Sequence, residues 1–276
     1  MTNLENFCEK IDKIRPINTV TQARIPIFLP YKCLPKTKAT QDIKVENAWG
    51  EAIIKKCRLT QAHRNLLDCI FAYSEQLRFY ENTLLALFNL QTIQKKLGIS
   101  PTNHNWIKQK LADLKDTSII IKTKKETIYT SVVLKFKYSR IPIPETKTYY
   151  FYVLFDNDYL RFFCEDIWMC YKSILKEILR IKSPVVQSLI RYMISHNKPH
   201  SVKLLTLLHS IGAIGDNMSS KQKDRKIKEV LNYQTELQEK FKIYLSDSVK
   251  SSEIIVSFDN KYLNNVVTIN PARLKR

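Results

Sequence analysis

Glycine is nearly missing from this chain of 276 residues, which holds only Gly50, Gly98, Gly212 and Gly215. Phosphate-cradling loops and dinucleotide folds need closely spaced glycines so that backbone can approach the ligand, and these four make neither pattern. A nucleotide-driven motor is thereby excluded. Long apolar runs are also missing: the densest, Tyr149 to Phe155, falls far short of the roughly 20 residues that span a bilayer. The expectation is a soluble, cytoplasmic protein with no membrane partner. The six cysteines, Cys8, Cys33, Cys57, Cys69, Cys164 and Cys170, form no CxxC pair and follow no secretory leader, so reduced and mostly buried thiols are expected. His196 and His200 have metal-ligand spacing for a helix, but Pro199 interrupts the helix and no carboxylate or cysteine lies nearby. Rolling-circle nickases hold a metal with two histidines separated by one apolar residue, and use a nucleophilic tyrosine. None of the five histidines makes that pair, although there are 14 tyrosines. The sequence therefore predicts no catalytic residue, no metal and no cofactor.

Positive charge is plentiful. Lys and Arg outnumber Asp and Glu by 45 to 26, a formal charge of +19 with a pI near 9.6. That balance favours a polyanionic partner, nucleic acid first and an anionic membrane surface second. A lysine-rich proteome from an AT-rich genome gives the same excess, so charge supports a nucleic-acid partner without establishing it. An apolar content of 44% is that of a folded protein, and the length suits two domains of ordinary size.

The most informative stretch is Leu90 to Leu114. Apolar residues recur in three-and-four spacing at Leu90, Ile93 and Leu97, then at Ile107, Leu111 and Leu114, which predicts two helices. Gly98 between them can adopt the left-handed conformation that ends a helix, and Ser100-Pro101 reads as a cap with proline at the first helical position. Two short helices joined in this way predict a helix-turn-helix. The second helix presents Asn103, His104, Asn105, Lys108 and Gln109 away from its apolar face, side chains suited to reading base edges in a major groove. Protein docking is the competing use of the same module.

Around this stretch the chain divides into four expected parts. Residues 1 to 50, with Pro16, Pro26, Pro30 and Pro35, read as an extended arm or linker with little core of its own. Its patch Ala23 to Phe28 either docks on a partner or packs on its own domain. Residues 51 to 140 read as a first winged-helix domain: a strand at Ile53 and Ile54, a helix capped by Thr60, a strand at Leu84 to Phe88, the helix-turn-helix, and a basic hairpin. The hairpin runs through Ser118 to Lys122 and Thr127 to Tyr138, with Lys124 and Lys125 at its tip. Residues 141 to 182 read as a bridge, with a buried strand at Thr148 to Phe155, a short helix at Asp156 to Cys164 and a second helix ending near Ile181.

Residues 183 to 276 repeat the plan as a second winged-helix domain. Ser183-Pro184 opens a helix, and Val202 to Ile211 forms another that ends at Gly212 as the upstream helix ends at Gly98. A long amphipathic helix is expected from about Ser219 to Tyr244, with Lys221, Lys223, Arg225, Lys226 and Lys228 in its first turns. The bland reading of that run is a solvated helix face. Ile254 to Phe258 and Val266 to Ile269 are expected to pair as a second wing, with Lys261 at its tip. The fold class is thus α+β, two tandem winged-helix domains joined by a strand and helix bridge. In that scheme Lys124, Lys125 and Lys261 hold phosphates while the two helices read bases.

Over roughly residues 23 to 245 the chain resembles the iteron-binding plasmid replication initiators with paired winged helices, and among them the TrfA type. The resemblance rests on Ala23 to Phe28, the helix Leu59 to Tyr73, Leu90 to Leu114, and Ser183 to Tyr192 with Lys203-Leu204. It implies sequence-specific binding to repeated double-stranded origin sites, local opening of an AT-rich segment, and recruitment of the host replicative helicase and host initiator proteins. It also implies a monomer and homodimer equilibrium through which plasmid copy number is held down. Gln76 to Tyr80 loosely resembles the peptide by which bacterial proteins bind the sliding clamp, although ordinary packing explains it equally. A transcriptional repressor on the same fold, or a nickase or recombinase, are the alternatives.

Overall fold

The protein is described from a computed structural model, which covers residues 14–25, 27–32, 42–47, 50–55, 59–80, 83–122, 126–139, 141, 149–160, 166–196, 198–248, 253–258 and 267–269. Strand β1 (Asn18–Thr19) and helix α1 (Val20–Arg24) come first, followed by strands β2 (Ile43–Asn47) and β3 (Gly50–Ile54). Helix α2 (Gln61–Tyr73) starts at Thr60 as its sequence predicts, and the Thr60 N–H donates to His63 Nδ1 at 2.9 Å, which satisfies a donor that a helix start would otherwise orphan. Its spacing buries Leu66, Leu67, Ile70 and Phe71. Strands β4 (Gln76–Tyr80) and β5 (Thr83–Asn89) lead into α3 (Leu90–Leu97) and α4 (His104–Asp116), the predicted helix pair.

Beyond α4 the strands pair differently from the expected single wing. The stretch Thr127 to Tyr138 is two strands, β7 (Thr127–Thr130) and β8 (Val133–Tyr138), and they join different sheets. β7 pairs with β6 (Ile119–Lys122), in a sheet of order β2-β3-β6-β7. β8 pairs with β9 (Tyr150–Phe155), in a sheet of order β4-β5-β9-β8 whose inner face packs on α2, α3 and α4. The hairpin beside α4 is therefore β8 with β9, rather than the one tipped by Lys124 and Lys125, which lie outside the described residues. A break at Ser131-Val132 causes the difference, because it frees β8 to follow another partner.

The second half opens with β10 (Trp168–Cys170), α5 (Lys172–Arg180) and α6 (Pro184–Ile194). The Ser183 side chain accepts the Val186 N–H and Pro184 occupies the first turn, as expected. Strand β11 (His200–Lys203) precedes α7 (Leu204–Ser210), so the predicted helix from Val202 begins later. The expected helix from Ser219 to Tyr244 is two helices, α8 (Ser220–Leu231) and α9 (Gln234–Phe241), with Tyr244 in strand β12 (Ile243–Leu245). Lys242, at φ 54, turns the chain there. Strand β13 (Ile255–Phe258) lies between β11 and β12, whereas β14 (Val267–Ile269) pairs with β10, in the sheet β1-β10-β14. The expected hairpin of Ile254 to Ile269 is thus not formed, and Lys261 lies outside the described residues.

Buried apolar residues gather in two clusters, one running from Ile25 to Trp168 in sequence and the other mainly from Met169 to Phe258. The proline-bearing arm contributes more than expected, since Ile17 belongs to the second cluster and Ile25, Ile27, Phe28 and Leu29 to the first. The described residues of the patch Ala23 to Phe28 accordingly pack within the protein. A buried polar group joins α2 to α6. Asp68 Oδ2 accepts from Arg191 Nε at 2.9 Å and from Tyr171 at 3.1 Å, and Ser188 donates to Gln61. Arg64 Nε faces Asp68 Oδ1 at 2.7 Å, a charge contact rather than an aligned hydrogen bond. Among the described residues no helix is long and apolar enough to cross a membrane.

Candidate nucleic-acid interface

The turn after α3 is set by a positive φ. Gly98 sits at φ 67, its N–H donates to Gln94 and Lys95 carbonyls, and the Ile99 N–H reaches the Gln94 carbonyl at 2.9 Å. Gly212 sits at φ 70, with its N–H on the His209 carbonyl and the Ala213 N–H on the Leu208 carbonyl at 2.8 Å. In each case the residue after glycine closes a bond to the carbonyl five residues back. The two glycines end equivalent helices by the same geometry.

Ser100-Pro101 does not cap α4. It forms the preceding turn, closed by the Asn103 N–H on the Ser100 carbonyl at 3.0 Å and pinned by Gln94 Nε2, which donates to the Ser100 and Pro101 carbonyls. The helix proper starts at His104, with Asn103 in the cap position. Ile107, Leu111 and Leu114 are buried, Asn103, Asn105 and Gln109 exposed, and His104 and Lys108 partly exposed. Lys108 Nζ lies 4.1 Å from the Tyr138 ring centre and the His104 ring meets Tyr149 edge-on at 6.0 Å, so α4 is braced by the β8 and β9 hairpin. Gln109 donates to Asp113 Oδ1 at 3.0 Å, which turns its amide along the helix.

Asp113 ties α4 to the start of α2. His63 is fully buried, and its Nδ1 accepts the Thr60 N–H, so Nε2 carries the proton and donates to Asp113 Oδ2 at 3.1 Å. Burial outweighs the carboxylate and lowers the His63 pKa, favouring the neutral ring. Burial pushes the Asp113 pKa up, but the hydrogen bonds from His63 and Gln109 win and hold it below the usual carboxylate value.

Helix α8 opens at Ser219, which exchanges hydrogen bonds with Gln222 in a capping box. Lys221, Arg225 and Lys228 are exposed at positions one helical turn apart, and Lys223 is partly exposed. Lys226 points inward: its Nζ pairs with Glu229 at 2.9 Å, and Glu229 in turn accepts from the Ser183 hydroxyl at 2.6 Å. The structure thus gives α4 and α8 each an outward polar face. It leaves the three expected wing lysines, Lys124, Lys125 and Lys261, undescribed. Sequence reasoning missed Tyr138 of β8, whose ring stands against Lys108 of α4 because β8 pairs with β9, a pairing that no local pattern announced.

His196 and His200 do not straddle a helix turn; their rings stack at 3.7 Å and 6°, the first beyond the end of α6 and the second in β11. Gln76 to Tyr80 is a strand paired with β5 along its length.

No family model matches the chain, and no curated protein matches it. Among solved structures, the chain is similar to the crystal structure of selenomethionine derivatives of domains 2 and 3 of RctB, at a TM-score of 0.57 and 12% identity. The match takes in 87% of this chain and 97% of that one, and it is a likeness of fold.

Proposed function

We propose that this chain is a non-enzymatic, sequence-specific double-stranded DNA-binding replication initiator built from two winged-helix units. The carrying observation is repetition. In each half a helix and a strand precede a helix ended by a positive-φ glycine and a further helix, and two later strands join the first strand in the order first, third, second: α2, β5, α3, α4, β8 and β9 in one half, α6, β11, α7, α8, β12 and β13 in the other, with β4, β6 and β7 added to the first and α9 to the second. Residues 59 to 155 and 183 to 258 make the two units, joined through 166 to 182. Helices α4 and α8 are the reading helices, with Asn105, Lys108 and Gln109 on one and Lys221, Arg225 and Lys228 on the other. Such helices enter successive major grooves about 34 Å apart, which predicts direct repeats of about 20 bp. Likeness to a fragment comprising two consecutive domains supports the paired arrangement.

Binding repeated origin sites, opening an AT-rich segment and recruiting the host helicase complete the reading, with homodimers as the restraining form. This part rests on the sequence resemblance to the TrfA-type initiators. The test joins the gene and its flanking repeats to a marker lacking any other origin. Replication of that circle is the expected result. Tight, specific DNA binding without replication would leave a winged-helix repressor instead.

A further inference from the structure

The outer face of the sheet β4-β5-β9-β8 is covered by no described element, because α2, α3 and α4 all pack on its inner face. Its pairing places Arg78, Leu85, Leu154 and Lys135 in one row across all four strands, and Gln76, Leu87, Tyr152 and Lys137 in the next. An apolar, aromatic centre is thereby flanked by Arg78 on one edge and by two lysines on the other. Tyr80, 42% exposed, stands beside Arg78. A recess of about 130 Å³ opens among Arg78, Tyr80, Leu85, Lys135, Tyr152 and Leu154. Lys137 Nζ lies 5.4 Å from the centre of the Tyr152 ring. None of the four strands contains an aspartate or glutamate.

We propose that this face is a second nucleic-acid site, one that takes single-stranded DNA by stacking bases on Tyr152 and Tyr80 and holding phosphates on Arg78, Lys135 and Lys137. Rings beside cations, with no acid among them, suit a polyanion that also offers flat apolar faces. A duplex keeps its bases stacked inside, so it offers the rings nothing; an unpaired strand offers both groups at once. Lys135 and Lys137 stand about 7 Å apart along their strand, so the cationic edge runs in a line. An acidic peptide would use the cations and leave the tyrosines idle. The site lies apart from the exposed faces of α4 and α8, so it stands or falls separately from the reading of those helices.

Binding of a labelled single-stranded oligothymidylate, titrated by anisotropy against the full chain, tests the assignment. Tyr152→Ala is expected to weaken it about tenfold, Tyr152→Phe to restore it, and Lys135→Ala with Lys137→Ala to flatten its salt dependence, each with duplex binding unchanged. Thymidine monophosphate in excess is expected not to displace the strand, since one base engages only part of the face. Unchanged oligonucleotide binding in Tyr152→Ala overturns the assignment, as does equal loss in Lys108→Ala, which would place the strand on α4. Ultraviolet crosslinking of the unaltered protein guards against a variant that fails to fold. Crosslinks in residues 76–80 or 150–155 support the site, and crosslinks confined to α4 or α8, or a homodimer that buries Tyr152, overturn it.

Discussion

At the scale of single residues, the charges that matter for stability are inside the molecule. Asp68 is fully buried between Arg64 and Arg191; burial lowers the Arg64 pKa, yet the facing carboxylate outweighs it and holds that pKa above its ordinary value. Asp68→Asn would strand two buried guanidinium groups, so it is expected to cost about 3–5 kcal/mol in urea denaturation. A loss below about 1 kcal/mol would show that water compensates both arginines. The histidines set a pH dependence. Burial lowers the pKa of His63 and His200 and takes His196 down to about 4, with Arg24 and the stacked partner adding to the shift at His196. Each folded pKa lies below the unfolded value of roughly 6.5, so below that pH the unfolded chain binds protons that the folded one refuses. Stability is then fully present above about pH 6.5 and falls toward pH 4. His196→Phe keeps a stacked ring without a titrating group, and its denaturation midpoint is expected to fall less steeply over that window.

At the scale of elements, the helix ends set by Thr60, Ser183, Gly98 and Gly212 were legible and most strand partners were not. Thr60, Ser183, Gly98 and Gly212 act through bonds to residues within five positions, so local sequence carries their effect. The pairing of β6 with β7 followed from the hairpin pattern, whereas β8, β13 and β14 join strands other than the neighbour the sequence suggested, and a period-two pattern is the same whichever partner is chosen. The split between α8 and α9 at Asn232 and Tyr233, and the end of α9 at the positive-φ Lys242, were hidden for another reason: none of the three is the glycine or proline that usually announces a break. Of the candidate contacts, those on α4 and α8 followed from helical spacing, but Lys226 did not, because its inward ion pair with Glu229 depends on how α8 meets the start of α6. The turn glycines give a direct test. Alanine at Gly98 meets no atom within 4 Å, so its cost is the backbone alone, about 1–2 kcal/mol for a left-handed residue. Gly215 has equal space without a positive φ, so Gly215→Ala is expected to be neutral or slightly stabilising. Equal thermal shifts for both variants would mean that φ at Gly98 does not control the turn.

At the scale of the whole molecule, the question is whether the two polar helices act together. Under the proposed function, the formal charge of +19 gives a background affinity for any duplex, which is expected to drop about 10³- to 10⁵-fold between roughly 50 and 200 mM salt if roughly six to ten phosphates are neutralised. Specificity must come from base contacts above that background. Lys108→Ala is expected to lower discrimination at one end of a repeat and Arg225→Ala at the other, by about 1–3 kcal/mol each. The buried Asp68 cluster and the Asn65 contact to Gln187 at 3.0 Å join α2 to α6, so under the proposed function the halves would meet DNA as one body rather than as beads on a string. Inserting about 5 bp at the middle of a repeat turns the distal half-site to the opposite side of the duplex. A rigid pair cannot follow it, and affinity for the altered repeat is expected to fall to that of a single half-site. Asp68→Asn, wherever it remains folded, is expected to tolerate the insertion better, because the joint between the halves is loosened. If the intact protein binds both spacings equally, only one helix is reading bases, and the second half has some other task.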